Sequence, residues 1–488
     1  TMAYVPRMIL SKLKSLSDLN YSHEYFVDGS PTIGDAYYGA AWHTVLASGM
    51  NKGAQGVFAL DVTDLSDLST LSPWEFTDAD DVNMGYSFSQ PAIVLMSNGK
   101  WAAVFGNGFN SNEADGNQGP GNAVLYIVYL GVGEDGFVAT EFEVLNTNVT
   151  DNAQGGDNGL ATVAPVDIDG DFDIDIIYAG DLNGNVWKFN VSSSTPSTWD
   201  DAASISKLYS RCTNTGEADN VAEVACLARG DQPITTRPEV GRGPMSNSFM
   251  VYFGTGKYLE NSDPNDMSVQ SFYAILDESL ANTTTVTSGQ LQAQTIVQQG
   301  SSFVITDPDD PTSTLPLADT MRVTSDTAVN YATKKGWYID LTFENATQGE
   351  RVISNPTLRN GRIIVTTNYY TSSGGGGNDN DLSCNANDMS ASGKGWIMEF
   401  DAINGSRLAY SPFDIDGDGT IGIYDTIRDG SEEIVVSGKR FGENIAAPSI
   451  LANGNSEIIL TSGSDGATTA TLGNAGPGAD GIQGWTQL

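Results

Sequence analysis

Residues Asp167-Ile168-Asp169-Gly170-Asp171-Phe172-Asp173-Ile174-Asp175 put an acid at every second position around one glycine. Acids spaced this way can fold several oxygens onto one point. Crowded carboxylates repel one another unless a cation lies among them. Calcium, a hard cation, takes about six to eight oxygens at about 2.3–2.6 Å. In a loop of this kind Asp167, Asp169 and Asp171 offer side chains, Asp173 offers its main-chain carbonyl, and Asp175 closes the site. The alternative is a polar hairpin turn that holds no ion.

A second acidic stretch runs from Asp414 to Asp425. It has Asp414, Asp416 and Asp418 at its first, third and fifth positions, Gly419 at the sixth and Thr420 at the seventh, with Asp425 at the twelfth. This is the spacing of the helical-hand calcium loop, with Thr420 as the carbonyl donor and Asp in place of the closing Glu. The shorter closing acid ligates with one oxygen and weakens the site. The flanks carry no long helical pattern, so the loop is expected without its pair of helices. Its alternative is a plain surface turn.

Other chemistry is sparse. The only imidazoles are His23 and His43, and the three cysteines are Cys212, Cys226 and Cys384, with no CxxC pair. Those spacings do not build a common zinc site. Neither a GxSxG elbow nor a phosphate-binding GKS or GKT loop occurs. His43 opens an apolar run, AWHTVLASG, and is read as structural. Cys212 and Cys226 flank a polar stretch and are expected to form a surface-loop disulfide, leaving Cys384 unpaired or paired outside this chain; three free thiols are the alternative. Arg229-Gly230-Asp231 matches an integrin-type tripeptide, a match short enough to arise by chance.

The elements that carry these loops follow from composition and repetition. The chain has 488 residues, 40% of them hydrophobic, and 54 glycines spread along it, which suits an all-β protein with many turns. Against 61 acidic residues stand 23 basic ones, a net charge of −38. Such a surface repels nucleic acid and anionic lipid, so neither is an expected partner. No apolar run is long enough to cross a membrane as a helix, and direct membrane insertion is not expected. Residues 1–16 lack the apolar core of a signal peptide, so the chain reads as part of a longer precursor.

A proline followed by a small or polar residue and an apolar one recurs at Pro31, Pro91, Pro165, Pro238, Pro356 and Pro448. Apolar runs ending in a glycine turn follow most of them: TVLASG (44–49), AAVFGNG (102–108), IIYAG (176–180), MVYFGTG (250–256) and IILTSG (458–463). Aromatic-bearing runs come next: GVFALD (56–61), VLYIVYL (124–130), NVWKFN (185–190), SFYAILD (271–277) and WIMEFD (396–401). These are strand compositions bounded by turn residues. Four-stranded units stacked radially would cover both faces of each sheet. The reading is an all-β, quinoprotein-like β-propeller of about seven four-stranded blades in one domain over 1–488. Residues 280–330 are a Thr-, Ser-, Gln- and Asp-rich rim insertion, 372–383 a mobile loop, and GIQGWTQL (481–488) lies near the ring closure.

The segments at 28–64, 167–190, 232–241, 252–260, 271–277 and 395–408 together resemble the C-terminal propeller of the PilY family of type IV pilus-tip proteins. The resemblance implies an exported, surface or pilus-tip protein acting in pilus biogenesis, extension and retraction control, and adhesion. Its implied partners are minor pilins and a host or surface receptor. It maps the family calcium loop onto Asp167, Asp169, Asp171 and Asp175, with Asp173 as the backbone donor. A general adhesion or matrix propeller braced by calcium is one competing reading. A quinone-dependent dehydrogenase is another, disfavoured because no adjacent cysteine pair occurs. The chain is not expected to be an enzyme.

Overall fold

The computed structural model describes residues 3–66, 74–113, 116–131, 141–149, 158–211, 232–260, 262–278, 284–310, 312–317, 319–370, 393–453 and 456–476. Cys212, Cys226, Cys384, the 229–231 tripeptide, the 372–383 loop and the 481–488 terminus all lie outside the described residues. The chain divides into two compact units. The first is essentially residues 1–209 with 233–237 and 279–285, and the second holds most of the remainder.

The first unit contains three consecutive four-stranded antiparallel meanders. Blade 1 is Thr32–Tyr38, Ala41–Gly49, Gly56–Asp61 and Trp74–Thr77. Blade 2 is Ala92–Leu95, Trp101–Gly106, Val124–Tyr129 and Phe142–Asn146. Blade 3 is Ala164–Val166, Ile176–Gly180, Asn185–Asn190 and Ile205–Ser210.

Blade 2 shows why its sequence reads as a continuous apolar run. Every residue of Val124–Tyr129 is buried. Val124, Tyr126 and Val128 pack in one core with Val45, Val57 and Phe76 of blade 1. Leu125, Ile127 and Tyr129 pack in another with Ile177, Trp187 and Phe189 of blade 3. Strand side chains alternate between faces, so a sheet covered on both sides needs apolar residues at every position.

The first two strands of these blades are joined by connections of different length. Tyr38 pairs with Ala41, Leu95 with Trp101, and Val166 with Ile176, so the connections are residues 39–40, 96–100 and 167–175. The turn between the second and third strands of blade 3 is built on Asp181, which is fully buried. Its carboxylate accepts from the Asn185 amide at 2.8 Å, Asn185 Nδ2 at 2.8 Å, Trp187 Nε1 at 2.8 Å and Asn158 Nδ2 at 3.1 Å. A buried carboxylate is tolerated when its lone pairs are filled in this way.

The second unit is less regular. Glu239–Arg242, Phe249–Gly254, Ser271–Asp277 and Gly336–Asp340 form an antiparallel meander to which Gln292–Gln294 adds in parallel. Thr357–Arg359, Arg362–Tyr370, Gly393–Asp401 and Gly438–Phe441 form another, extended by Met321–Thr324 and Ile296–Gly300. A small sheet joins Thr314–Pro316, Val304–Thr306, Ile427–Asp429 and Glu432–Ile434. Ser449–Asn453, Ser456–Ser462 and Thr468–Asn474 make a three-stranded sheet.

The all-β expectation therefore holds, but seven equal four-stranded blades are not what the described residues form. Their seven sheets have three to six strands each, and all are open. Part of the difference comes from the 280–330 stretch, expected as a rim insertion. Its short strands join three of the second unit's sheets. The three-stranded sheet is held by charge as well as by apolar contact. Glu457, fully buried, takes ion pairs from Arg359 and Arg362, and Arg362 Nε also meets Glu399 Oε2 at 2.7 Å.

Candidate metal centres

The Asp167 loop is the first connection of blade 3. Its carboxylates shape it by accepting main-chain N–H groups. Asp167 Oδ1 accepts from Gly170 at 2.7 Å, and its Oδ2 accepts from Phe172 at 2.9 Å. Asp169 accepts from the Asp171 amide and Asp171 from the Asp173 amide, both at 3.2 Å. Asp175 Oδ2 accepts from Ile168 at 2.8 Å, tying the end of the loop to its start. The path needs left-handed backbone at Gly170 (φ 86°) and at Phe172 (φ 78°). Glycine adopts this freely, whereas a residue with a Cβ pays about 1–2 kcal/mol. The Phe172 ring is 84% exposed, so packing does not offset that strain.

One oxygen from each of Asp167, Asp169 and Asp175 lies within 4.8 Å of the others, close enough for one ion to be held among them. Asp171 and Asp173 are not part of this trio. Asp173 turns instead to blade 2, where Ser97 Oγ lies 2.9 Å from its Oδ1 and donates also to the Ile174 carbonyl at 2.9 Å. Burial raises the Asp173 and Asp175 carboxyls above their usual range, and neighbouring carboxylates add to the shift. A cation would offset both terms.

The Asp414 loop lies between Gly393–Asp401 and the small-sheet strand Ile427–Asp429. Its wiring repeats that of the first loop. Asp414 Oδ1 accepts from Gly417 at 2.7 Å, and its Oδ2 accepts from Gly419 at 3.0 Å. Asp416 accepts from the Asp418 amide at 3.0 Å. Thr420 donates its amide and its hydroxyl to Asp418 Oδ1, both at 2.7 Å. Oxygens of Asp414, Asp416 and Asp418 converge within 4.8 Å.

Asp425, expected to close the loop as a ligand, is 1% exposed and outside the converging trio. Its Oδ1 accepts from Ile415 at 2.7 Å and its Oδ2 from Gly422 at 2.6 Å. Burial raises the Asp425 and Asp416 carboxyls. The loop starts from backbone paired to the last strand, because Phe413 bridges Gly473 and the Asp414 amide donates to Leu472 O at 3.2 Å.

Ser97 was not legible as part of the first loop. Its partner is 76 residues away, and the only local signal is an SNG turn at the matching connection of the preceding repeat. His43 meets Asp61 Oδ2 through Nδ1 at 2.6 Å and stacks on Tyr38 with ring centroids 4.0 Å apart, an arrangement that braces blade 1. No helix among the described residues is long and apolar enough to cross a membrane.

Comparison with known proteins follows the same lines. A PilY1 homolog of Xylella fastidiosa, described as a type IV pilus biogenesis factor, is 34% identical over 411 residues, covering 83% of this chain and 24% of that protein. The type IV pilus biogenesis factor PilY1 of Pseudomonas aeruginosa is 30% identical over 512 residues, covering 100% of this chain and 40% of that protein. The chain thus spans less than half the length of these relatives. The crystal structure of the P. aeruginosa PilY1 C-terminal domain superposes with a TM-score of 0.70 at 26% identity, covering 98% of this chain and 89% of that one. Both relatives are described as type IV pilus biogenesis factors. The family model of the PilY1 beta-propeller domain matches residues 6–307, well over half of the sequence, and the chain belongs to that family.

Proposed function

We propose that this chain is the calcium-binding propeller region of a type IV pilus biogenesis factor at the cell surface or pilus tip. It acts with minor pilins in pilus extension and retraction and contributes to adhesion to a host or other surface. The observation that carries the calcium reading is the convergence of Asp167, Asp169 and Asp175 in a loop wired by its own main chain. All the donors are oxygens, with no imidazole or thiolate, which selects a hard cation. An irregular loop with glycine turns suits the flexible coordination of calcium better than the strict octahedron of magnesium. Asp171 and the Asp173 carbonyl complete the first set. Asp414, Asp416, Asp418 and the Thr420 carbonyl form the second, with Asp425 as a support.

Extracellular calcium modules bind at about 10⁻⁴–10⁻³ M, so occupancy would follow the outside medium. Titration calorimetry of the whole chain with calcium tests the reading. Asp169→Ala is expected to remove the first site's binding heat while the fold persists. A pilus-tip deletion strain complemented with the full-length protein carrying Asp169→Ala is expected to show altered piliation or twitching. Absence of calcium binding at millimolar concentration overturns the calcium reading. Loss of binding with normal pili reduces the site to a structural brace.

A further inference from the structure

Ser97 belongs to the 96–100 turn of blade 2, yet its hydroxyl reaches the end of the acidic loop in blade 3. The turn is closed by its own main-chain bonds. The Met96 amide donates to Lys100 O at 2.9 Å and the Gly99 amide to Met96 O at 2.8 Å. The loop is fastened to it by main chain as well, since the Ile174 amide donates to Leu95 O at 3.0 Å and Met96 forms a parallel bridge with Ile174. Ile174 is itself 7% exposed and part of the core shared by blades 2 and 3. The two connections therefore form one unit, and Ser97 is the side chain that joins blade 2 to a loop acid.

We propose that Ser97 is the positioning residue of the first metal site and that it carries metal occupancy from blade 3 into blade 2. The proposal rests on the calcium reading above. One hydroxyl proton serves two acceptors, Asp173 Oδ1 and Ile174 O, so Ser97 fixes the side chain and the following peptide of the same residue pair. With its carboxylate held by Ser97, Asp173 has its main-chain carbonyl left to offer a cation. Without the hydroxyl, the Asp173 carboxylate is free to swing toward Asp167, Asp169 and Asp175 and add charge to the trio. Groups that orient metal ligands in this way change affinity by about 10- to 100-fold when removed. In the second loop Thr420, at the position matching Asp173, bonds instead within its own loop, to Asp418.

The test uses the whole chain, calcium as the probe, and two readouts: calorimetric affinity and amide hydrogen exchange over 92–106 and 164–190. In the wild type, calcium is expected to slow exchange in both segments. Ser97→Ala is expected to weaken calcium binding at the first site about 10- to 100-fold and to confine the residual slowing, at saturating calcium, to 164–190. Asp173→Ala should confine the slowing in the same way. Ser97→Thr, which keeps the hydroxyl, should restore wild-type affinity and slowing in both segments. Wild-type affinity in Ser97→Ala overturns the positioning role. Retained slowing over 92–106 in that variant overturns the coupling between blades. If Asp169→Ala binds calcium as tightly as the wild type, it is the assignment of the metal site that fails.

Discussion

The Asp167 and Asp414 loops share one local wiring diagram and differ in what holds them. In both, the first aspartate takes the amides of the fourth and sixth positions, and a later aspartate takes the amide of the second. The first loop spans adjacent strands of a regular blade and is closed by the half-buried Asp175. The second leads into a small sheet and is closed by the fully buried Asp425, which also holds Gly422. The D-x-D-G-D run thus makes the same turn in both settings. The surroundings decide whether the closing acid lies half-buried beside the first two aspartates or in the protein interior.

The largest expected effect separates the two closing acids in the absence of metal. Asp425→Ala strands the buried Ile415 amide and frees the exposed Gly422 amide, and should cost about 2 kcal/mol. Asp175→Ala frees one partly buried amide and should cost about 1 kcal/mol. Urea unfolding in chelator measures both. Equal losses would show that the two acids play the same part.

A smaller effect compares the sixth positions. Gly419 (φ 82°) and Phe172 (φ 78°) hold the same backbone and donate the same bond. Gly419→Ala is expected to destabilise by about 1 kcal/mol, although a Cβ there would touch nothing. Phe172→Gly should stabilise by about 0.5 kcal/mol, as relief of strain exceeds the added freedom of the unfolded chain. A loss of stability in Phe172→Gly would mean that the exposed ring makes a contact worth more than its strain.

The smallest effect lies in pH dependence, where the sign is the message. Burial raises Asp175 and Asp425 above the ordinary value of 3.8, so the folded state holds these protons more readily than the unfolded one. Their ionisation therefore opposes folding. In chelator, stability should rise as pH falls from neutral through the raised values, and the gain should be complete below about 3.8. Asp175→Asn and Asp425→Asn should each flatten their share of that slope in thermal melts. Calcium needs the ionised carboxylates, so its affinity should fall over the same range in which the metal-free protein gains stability.

Where the sequence was legible, the controlling interactions were local or repetitive. The loop acids bond amides within ten positions. Runs such as VLYIVYL and SFYAILD became Val124–Tyr129 and Ser271–Asp277 because burial on both faces kept their interior positions apolar. What stayed hidden depends on distant partners. Gln292–Gln294 has two polar residues in three and becomes a strand only because Gly336–Asp340 offers an edge. The spacing that makes Asp425 a candidate ligand says nothing about its burial. Ser97 carries no signal that names Asp173 as its partner.

The unequal first connections of blades 1, 2 and 3 bear on what this corner of a blade can carry. Residues 39–40, 96–100 and 167–175 link strand pairs of the same kind, and the pairing beyond each stays antiparallel and regular. Closing a longer loop costs only about 0.6 kcal/mol per doubling of length. A blade can therefore accept an acidic insertion at this corner, or lose one, with its strand register intact. The acidic loop thus sits at the corner of blade 3 without changing its strand pairing.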